Sequence, residues 1–363
     1  MGAMSPPPVV PASAKAASRP IRLMIVDDSL VARTVLSRIL ERSPLFEIVG
    51  SAGRAEDAIA LLDQVKVDII LLDVEMPGTD GLTALPDILK RSRGARVLIV
   101  SSAAADGAAS TVKALTLGAA DTLLKPGAGS FAGRFADVLI ERLVRIGHAD
   151  TRPSRSNPAT PLERRGPLTP IGCLAIGAST GGLHALSAFF RALPVEFDAP
   201  ILVTQHLPAI FMPYFAAQLQ DIAGRKASVA ADGSVPRAGE LLVAPGEGHL
   251  RLVRVGERVS VRIDHTPSVS GCLPSVDPML ESVAAVYGAS AAAVILSGMG
   301  RDGVLGAAEL VAAGGEVLAQ DADTSVVWGM PGAVANAGLA SVVLPPDRLA
   351  QQIGCRQRRL AWK

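Results

Sequence analysis

At 363 residues, with 49 % apolar and 19 % charged side chains, the chain has the composition of a folded protein with room for two domains. A formal net charge of +1 and 3 % aromatic residues exclude the basic field of a nucleic-acid binder and the stacking platforms of single-strand binders. Cys173, Cys272 and Cys355 form no CxxC pair and no disulfide ladder, and no apolar run reaches the roughly 20 residues needed to span a bilayer, so a cytoplasmic protein without membrane insertion is expected.

Residues 1–20 are rich in Pro and Ala and lack the apolar stretch of a signal peptide. Met1-Gly2 is followed by Pro6 where the myristoylation pattern needs Ser or Thr. A disordered tail is expected there. From Ile21, short apolar runs (Ile21–Val26, Glu47–Val49, Asp68–Leu72, Arg96–Val100, Thr122–Leu124) alternate with amphipathic segments such as Leu30–Leu40, Ala55–Val65 and Thr111–Leu117. A last helix covers about Phe131–Ile146. Five such units predict a parallel sheet with helices on both faces over residues 21–147.

In an open parallel sheet, the loops at the carboxyl ends of the strands build the site. Asp27 and Asp28 end the first run, Asp73 the third, Ser101 the fourth and Lys125-Pro126 the fifth. In the flavodoxin-like strand order these tips are neighbours. Three carboxylates at one place repel unless a cation sits among them, and an all-oxygen donor set suits Mg2+. A carboxylate beside such an ion can attack a phosphoryl donor. Lys125 then offers a second positive charge and Ser101 a hydroxyl for a phosphate oxygen. A single acidic strand end is ordinarily a solvated helix cap, but that reading does not explain the ordered set.

The residues IVDDS (25–29), LLDVEMPGTDG (71–81), VLIVSS (97–102) and LLKP (123–126) resemble those of response-regulator receiver domains. The resemblance spans Ile21 to about Ile146. It implies that Asp73 is the phosphoacceptor, that Asp27, Asp28 and Asp73 hold Mg2+ together with a backbone carbonyl near Glu75, and that Ser101 and Lys125 support phosphorylation.

Residues 148–170 are rich in Pro, Ser and Arg without periodicity and read as a linker. A second alternating series occupies 171–363. Ile171–Ile176, Ile201–Thr204, Ala292–Leu296 and Glu316–Ala319 read as strands, and Ala227–Ile263 as short β-pieces with Gly turns, a hairpin insertion. The expected class is α/β with two doubly wound domains, the first flavodoxin-like and the second Rossmann-like. The basic segment Arg348–Lys363 reads as a helix with a solvated face and a thin apolar stripe, and Cys173 as a core residue.

The strand Ile171–Ile176 runs into Gly177-Ala178-Ser179-Thr180-Gly181-Gly182 and then a helix from Leu183. Glycines on both sides permit a tight strand-to-helix turn with Ser179 exposed, and the free N–H groups of the helix start suit an oxyanion. A serine nucleophile needs a base. Of His148, His184, His206, His249 and His265, only His206 stands at the tip of a core strand, where it can meet Ser179; elsewhere an isolated His is more readily structural. The base needs an orienting acid, and Asp302 lies in the Gly-rich tip Ser297–Gly303. The order Ser, His, Asp is not that of α/β-hydrolases. Two rival readings stand beside this one. Gly298-x-Gly300-x-x-Gly303 with Asp321 matches a dinucleotide fingerprint but leaves Ser179 and His206 idle, and the second domain could be a catalytically silent binding module.

IGASTGG (176–182), VTQHLP (203–208), LVAPG (242–246), PSVDPML (274–280), ILSGMGRDG (295–303) and VWGMP (327–331) resemble the catalytic domain of the chemotaxis protein-glutamate methylesterases, the CheB family, over Ile171 to about Leu344. The resemblance implies Ser179 as nucleophile, His206 as base, Asp302 as its partner, and the amides of Met299 and Thr180 as oxyanion hole. It implies a monomeric hydrolase, activated by phosphorylation, that releases methanol from γ-glutamyl methyl esters and deamidates glutamines on chemoreceptors. A chemotaxis histidine kinase is the implied phosphodonor, and no cofactor is implied in the catalytic domain. Where that family carries basic residues before PSVD, this chain has Ser270-Gly271-Cys272-Leu273, a departure expected to bear on receptor binding.

Overall fold

A computed structural model describes residues 19–102, 105–125, 132–147 and 170–358. The disordered tail expected at 1–20 lies outside them except for its last two residues, and the expected linker lies outside them except for Pro170.

Five parallel strands, β1 (Ile21–Val26), β2 (Phe46–Ala52), β3 (Ile69–Leu72), β4 (Arg96–Ser101) and β5 (Asp121–Leu124), form a sheet in the order β2-β1-β3-β4-β5. Strands covered on both faces read as continuous apolar runs, and the IILL of β3 is wholly buried. The connecting helices are α1 (Leu30–Glu41), α2 (Ala55–Leu62), α3 (Gly81–Arg91), α4 (Ala105–Leu117) and α5 (Ala132–Gly147). Side-chain caps set two of the helix starts: Ser29 Oγ accepts from the Ala32 amide before α1, and Asp80 Oδ1 from the Thr83 amide before α3.

The second sheet has seven parallel strands in the order β14-β13-β12-β6-β7-β9-β8. They are β6 (Cys173–Ala178), β7 (Ile201–Gln205), β8 (Ala227–Val229), β9 (Leu241–Val243), β12 (Ala291–Ile295), β13 (Glu316–Gln320) and β14 (Val342–Leu344). The chain starts in the middle at β6, builds outward through β7, then returns to β12 on the other side. The carboxyl ends of β6, β7 and β12 therefore flank the point where the winding reverses, the place where such sheets open a crevice. α6 (Gly182–Ala192), α7 (Met212–Ala223), α8 (Val276–Tyr287), α9 (Val304–Ala312), α10 (Met330–Asn336) and α11 (Pro346–Arg358) cover the sheet.

Of the β-pieces expected in 227–263, only β10 (His249–Val255) and β11 (Arg258–Asp264) form the inserted antiparallel hairpin, closed by a turn in which Gly256 has φ +60°. β8 and β9 instead extend the main sheet, because β9 pairs parallel with β7 and β8 pairs parallel with β9. The segment read as a solvated basic helix is α11, and it is structural: Leu349, Ala350 and Ile353 are buried, and the buried Arg356 pairs with Glu316 Oε2 at 2.6 Å. Residues 359–363 of that expected helix lie outside the described residues. Cys173 is in the core. One buried apolar cluster runs from a face of the first sheet to a face of the second, and α4 packs directly on α6 and α7. Among the described residues no helix is long and apolar enough to cross a membrane.

Candidate functional sites

The tips of β1, β3, β4 and β5 meet as adjacent strands must. Carboxylate oxygens of Asp27, Asp28 and Asp73 lie within 4.8 Å of one another, with Asp27 and Asp73 buried and Asp28 exposed. Lys125 Nζ reaches over this group, 2.6 Å from Asp73 Oδ2 and 2.8 Å from Asp27 Oδ2. The second Asp73 oxygen accepts the Glu75 amide at 3.1 Å, and Asp27 Oδ1 accepts the Ser29 amide at 2.9 Å. Burial pushes the Asp73 carboxyl above its usual range, against the pull of Lys125 and the Glu75 amide. Burial disfavours the Lys125 charge, but the hydrogen bonds it donates to Asp27 and Asp73 outweigh that and hold its proton more tightly than usual. Ser101 Oγ is buried at the same tip without a hydrogen-bond partner. An all-oxygen donor set with an unsatisfied hydroxyl beside it fits a hard divalent cation and a phosphoryl group.

The second site grows from strand register. β6 pairs with β7 at Gly177↔Thr204 and Ala178↔Gln205, and the His206 amide donates to the Ala178 carbonyl at 3.2 Å. One step further, Ser179 and His206 stand side by side on the two tips. Gly181 makes the strand-to-helix turn possible: its φ is +75°, and a Cβ there would lie 2.5 Å from Val326 Cβ. The Ser179 amide is tied to the Ser297 carbonyl (3.0 Å) and its carbonyl accepts from Gln205 Nε2 (2.8 Å), so the turn is fixed to β12 and β7. His206 Nε2 is 2.7 Å from Asp302 Oδ2. The Ser179 hydroxyl makes no hydrogen bond to the ring in this geometry. Neighbouring strands run about 4.8 Å apart, which sets the two side chains on adjacent tips.

Asp302 is buried and saturated with donors. Ser275 Oγ donates to Oδ1 at 2.6 Å, and the Val276 amide to Oδ2 at 2.7 Å. Ser275 occupies the N-cap of α8 without capping it, because its hydroxyl is turned to Asp302. Behind it, the Ser275 amide donates to His249 Nδ1 at 2.9 Å, which requires that nitrogen to be unprotonated; His249 Nε2 then donates to the Thr266 carbonyl at 2.9 Å. Burial opposes the Asp302 charge, but the bonds from His206, Ser275 and Val276 outweigh it and hold the carboxyl well below its usual range. Asp277 alongside is pushed up by its own burial and by the Asp302 charge. For His206, burial works against protonation, yet Asp302 and then Cys272 outweigh it, and the ring is pushed up to about 9.

Sequence reasoning missed Ser275 and His249. The PSVD motif pointed to the segment but not to the hydroxyl's role, and His249, at the start of the hairpin, lies far in sequence from everything it serves. The departure at 270–273, expected to bear on receptor binding, also brings the half-buried Cys272 thiol within 4.8 Å of a His206 ring nitrogen and an Asp302 oxygen.

The Thr180 and Met299 amides donate to no acceptor among the described residues. Both residues are touched by the N-terminal unit. Thr180 Oγ1 donates to Asp121 Oδ2 at 2.6 Å, the Gly181 amide donates to the Ala120 carbonyl at 2.7 Å, and Arg145 Nη1 lies 3.4 Å from Met299 Sδ. The dinucleotide reading loses its anchors: Asp302 inside the fingerprint is turned to His206, and Asp321 Oδ1 is held by the Thr324 amide at 3.1 Å and by the Thr324 hydroxyl.

Family models match two stretches, "CheB methylesterase" at residues 174–353 and "Response regulator receiver domain" at 23–130. A protein-glutamate methylesterase/protein-glutamine glutaminase of Paramagnetospirillum magneticum is 39 % identical over 92 % of this chain and 95 % of its own length. One from Caulobacter vibrioides is 40 % identical over 94 % of this chain and 100 % of its own. The solved catalytic domain of Thermotoga maritima CheB methylesterase is 36 % identical, covering 50 % of this chain and 96 % of that one with a TM-score of 0.49.

Proposed function

The chain belongs to the protein-glutamate methylesterase/protein-glutamine glutaminase family, and from that premise we propose that it is a phosphorylation-activated serine hydrolase, a cytoplasmic monomer that adjusts chemoreceptors by removing methyl esters and amide nitrogens from their glutamyl side chains. In this reading residues 171–363 are the catalytic unit and 21–147 the receiver. The observation that carries the reading is the 2.7 Å His206–Asp302 bond at the strand tip beside Ser179.

Because Asp302 takes Nε2, the ring nitrogen left for Ser179 is Nδ1. It removes the hydroxyl proton as Oγ attacks the ester carbonyl, and the amides of Thr180 and Met299 hold the oxyanion, at about 2.7–4 kcal/mol per donor. Methanol leaves with the proton from Nδ1, and water repeats the sequence to free the glutamate. A glutamine side chain enters the same acyl-enzyme with ammonia leaving. Asp302 stabilises the imidazolium formed in each half. No cofactor takes part in this unit.

The ring must be unprotonated to act, and its pKa is pushed up to about 9, so the rate should climb between pH 6.5 and about 9. A flat profile across that window would detach His206 from the base role. The folded ring binds its proton more tightly than the unfolded chain does. Its contribution to stability is thus full below about 6.5 and lost as pH rises through about 9. Ser275→Ala removes one charge-assisted bond to Asp302, worth about 1.5–3 kcal/mol, and should lower kcat by roughly 10–100-fold while KM stays nearly constant. A kinetically normal variant would show that Ser275 does not position Asp302.

In the receiver, Asp73 accepts the phosphoryl group from a chemotaxis histidine kinase. Asp27, Asp28, Asp73 and the carbonyl near Glu75 would hold Mg2+, which when bound neutralises the phosphoryl oxygens. Lys125 pairs with the charge that appears on Asp73, and the Ser101 hydroxyl donates to a phosphoryl oxygen. The deciding measurement is methanol release from methylated receptor membranes with and without a small-molecule phosphodonor. Absence of release under both conditions would favour a silent binding module.

A further inference from the structure

Cys272 takes no part in the chemistry above, yet its position is built. Ser268 Oγ donates to the Cys272 carbonyl at 2.9 Å, the Cys272 amide donates to Ser270 Oγ at 3.3 Å, and Gly271 between them has φ +70°. The chain then enters α8, where Ser275 and Val276 are bonded to Asp302. One carboxylate therefore anchors both the thiol's loop and the imidazole. The outcome is a thiol, an imidazole and a carboxylate whose ligand atoms all lie within 4.8 Å of one another.

We propose that His206, Cys272 and Asp302 form a binding site for a borderline-soft divalent cation of the Zn2+ class, and that filling it switches the hydrolase off. One nitrogen, one sulfur and one oxygen donor suit such an ion and not the hard cations, which take oxygen alone. The contrast lies within the same chain, since the Asp27, Asp28 and Asp73 group is all oxygen. Bonds of about 2.0–2.3 Å in a tetrahedron bring donors to about 3.3–3.8 Å of each other, so the present spread needs only small side-chain shifts. Asp302 is buried at the base of the group, while the His206 side chain is 15 % exposed and Cys272 is half-buried, so an ion can enter from solvent.

Binding breaks the thiol S–H bond, and that proton goes to solvent as the thiolate–metal bond forms. The metal takes Nε2, the ring nitrogen now shared with Asp302; the N–H bond there breaks as the N–metal bond forms, Nδ1 takes up a proton in its place, and no lone pair remains for Ser179. This control acts on the base, separately from the receiver contacts at Thr180 and Met299. The metal site stands on ligand geometry alone; only the switching rests on the hydrolase reading.

The test uses the full chain carrying Cys355→Ala, to remove the exposed thiol, with saturating Mg2+ to fill the acidic pocket. Zn2+ is titrated against a chromogenic chelator, and Co2+ is followed by its near-ultraviolet thiolate charge-transfer absorption. One Zn2+ per chain and a Co2+–thiolate band are expected. Affinity should fall at least about 100-fold in Cys272→Ala and in His206→Gln, more than is lost with an outer-shell partner. Methanol release should be suppressed by Zn2+ and restored by EDTA, and whatever release Cys272→Ala retains should ignore Zn2+. Binding that survives Cys272→Ala unchanged, or lack of the Co2+–thiolate band, overturns the site. Stoichiometric Zn2+ with undiminished release overturns the switch. Failure of the metal-free protein to release methanol would count against the hydrolase reading and leave the metal site standing.

Discussion

Replacing Ser179 by alanine should cut methanol release by about 10^4–10^6-fold, while phosphorylation of Asp73 proceeds as before. The size follows from how triads fail: nucleophile and base act as a unit, and removing the nucleophile costs nearly as much as removing the whole unit. The remaining rate comes from the oxyanion donors and substrate binding, both of which a methyl side chain leaves in place. The variant should fold, since the backbone bonds of residue 179 to Ser297 and Gln205 do not involve its hydroxyl. Glutamine deamidation should fall in parallel, because both reactions pass through one acyl-enzyme. Methanol release within tenfold of normal would remove Ser179 from the mechanism. Loss of methanol release with deamidation retained would break the claim of a shared intermediate.

Asp121→Ala should raise activity in the absence of any phosphodonor by roughly 10–100-fold. The Asp121 carboxylate at the edge of the receiver accepts from Thr180, one residue after Ser179, and is itself held by Arg142 Nη1 at 2.9 Å. With the Ala120–Gly181 bond and Arg145 at Met299, the receiver grips both loops that carry the proposed oxyanion donors. A charge-assisted bond contributes about 1.5–3 kcal/mol, and losing it shifts a docked-to-open equilibrium by the corresponding factor while the docked state dominates. In the proposed scheme, phosphorylation at Asp73 would act on the same equilibrium from within the receiver. Asp73→Asn should therefore keep the low basal rate and lose the response to phosphodonor, and the double variant should keep the raised rate without any response. Unchanged basal activity in Asp121→Ala would mean that the receiver does not hold the site closed through Thr180.

Asp27, Asp73, Ser101, Lys125, Ser179 and His206 were all legible for one reason. Each ends an apolar run, and parallel strands deliver their carboxyl ends to one edge whatever the helices between them look like. Asp302 was legible through its Gly-rich tip after another such run, Ala292–Leu296. β14 was not, because three half-buried residues carry no periodicity, and β8 and β9 looked like part of the hairpin because run length does not say which neighbour a strand pairs with.

The chain's own order of strands and tip residues thus determined two parallel α/β sheets, an acidic pocket on one and a hydroxyl, imidazole and carboxylate on the other. Only the tertiary structure decided which ring nitrogen faces Asp302, that Ser275 and His249 stand behind it, that a thiol from an irregular loop comes near the His206 ring, and that the receiver touches Thr180 and Met299. Those contacts join residues from 26 to 154 positions apart through loops and caps. No local pattern encodes them, because each depends on where packing of whole elements leaves a loop, and packing is settled by the assembled core.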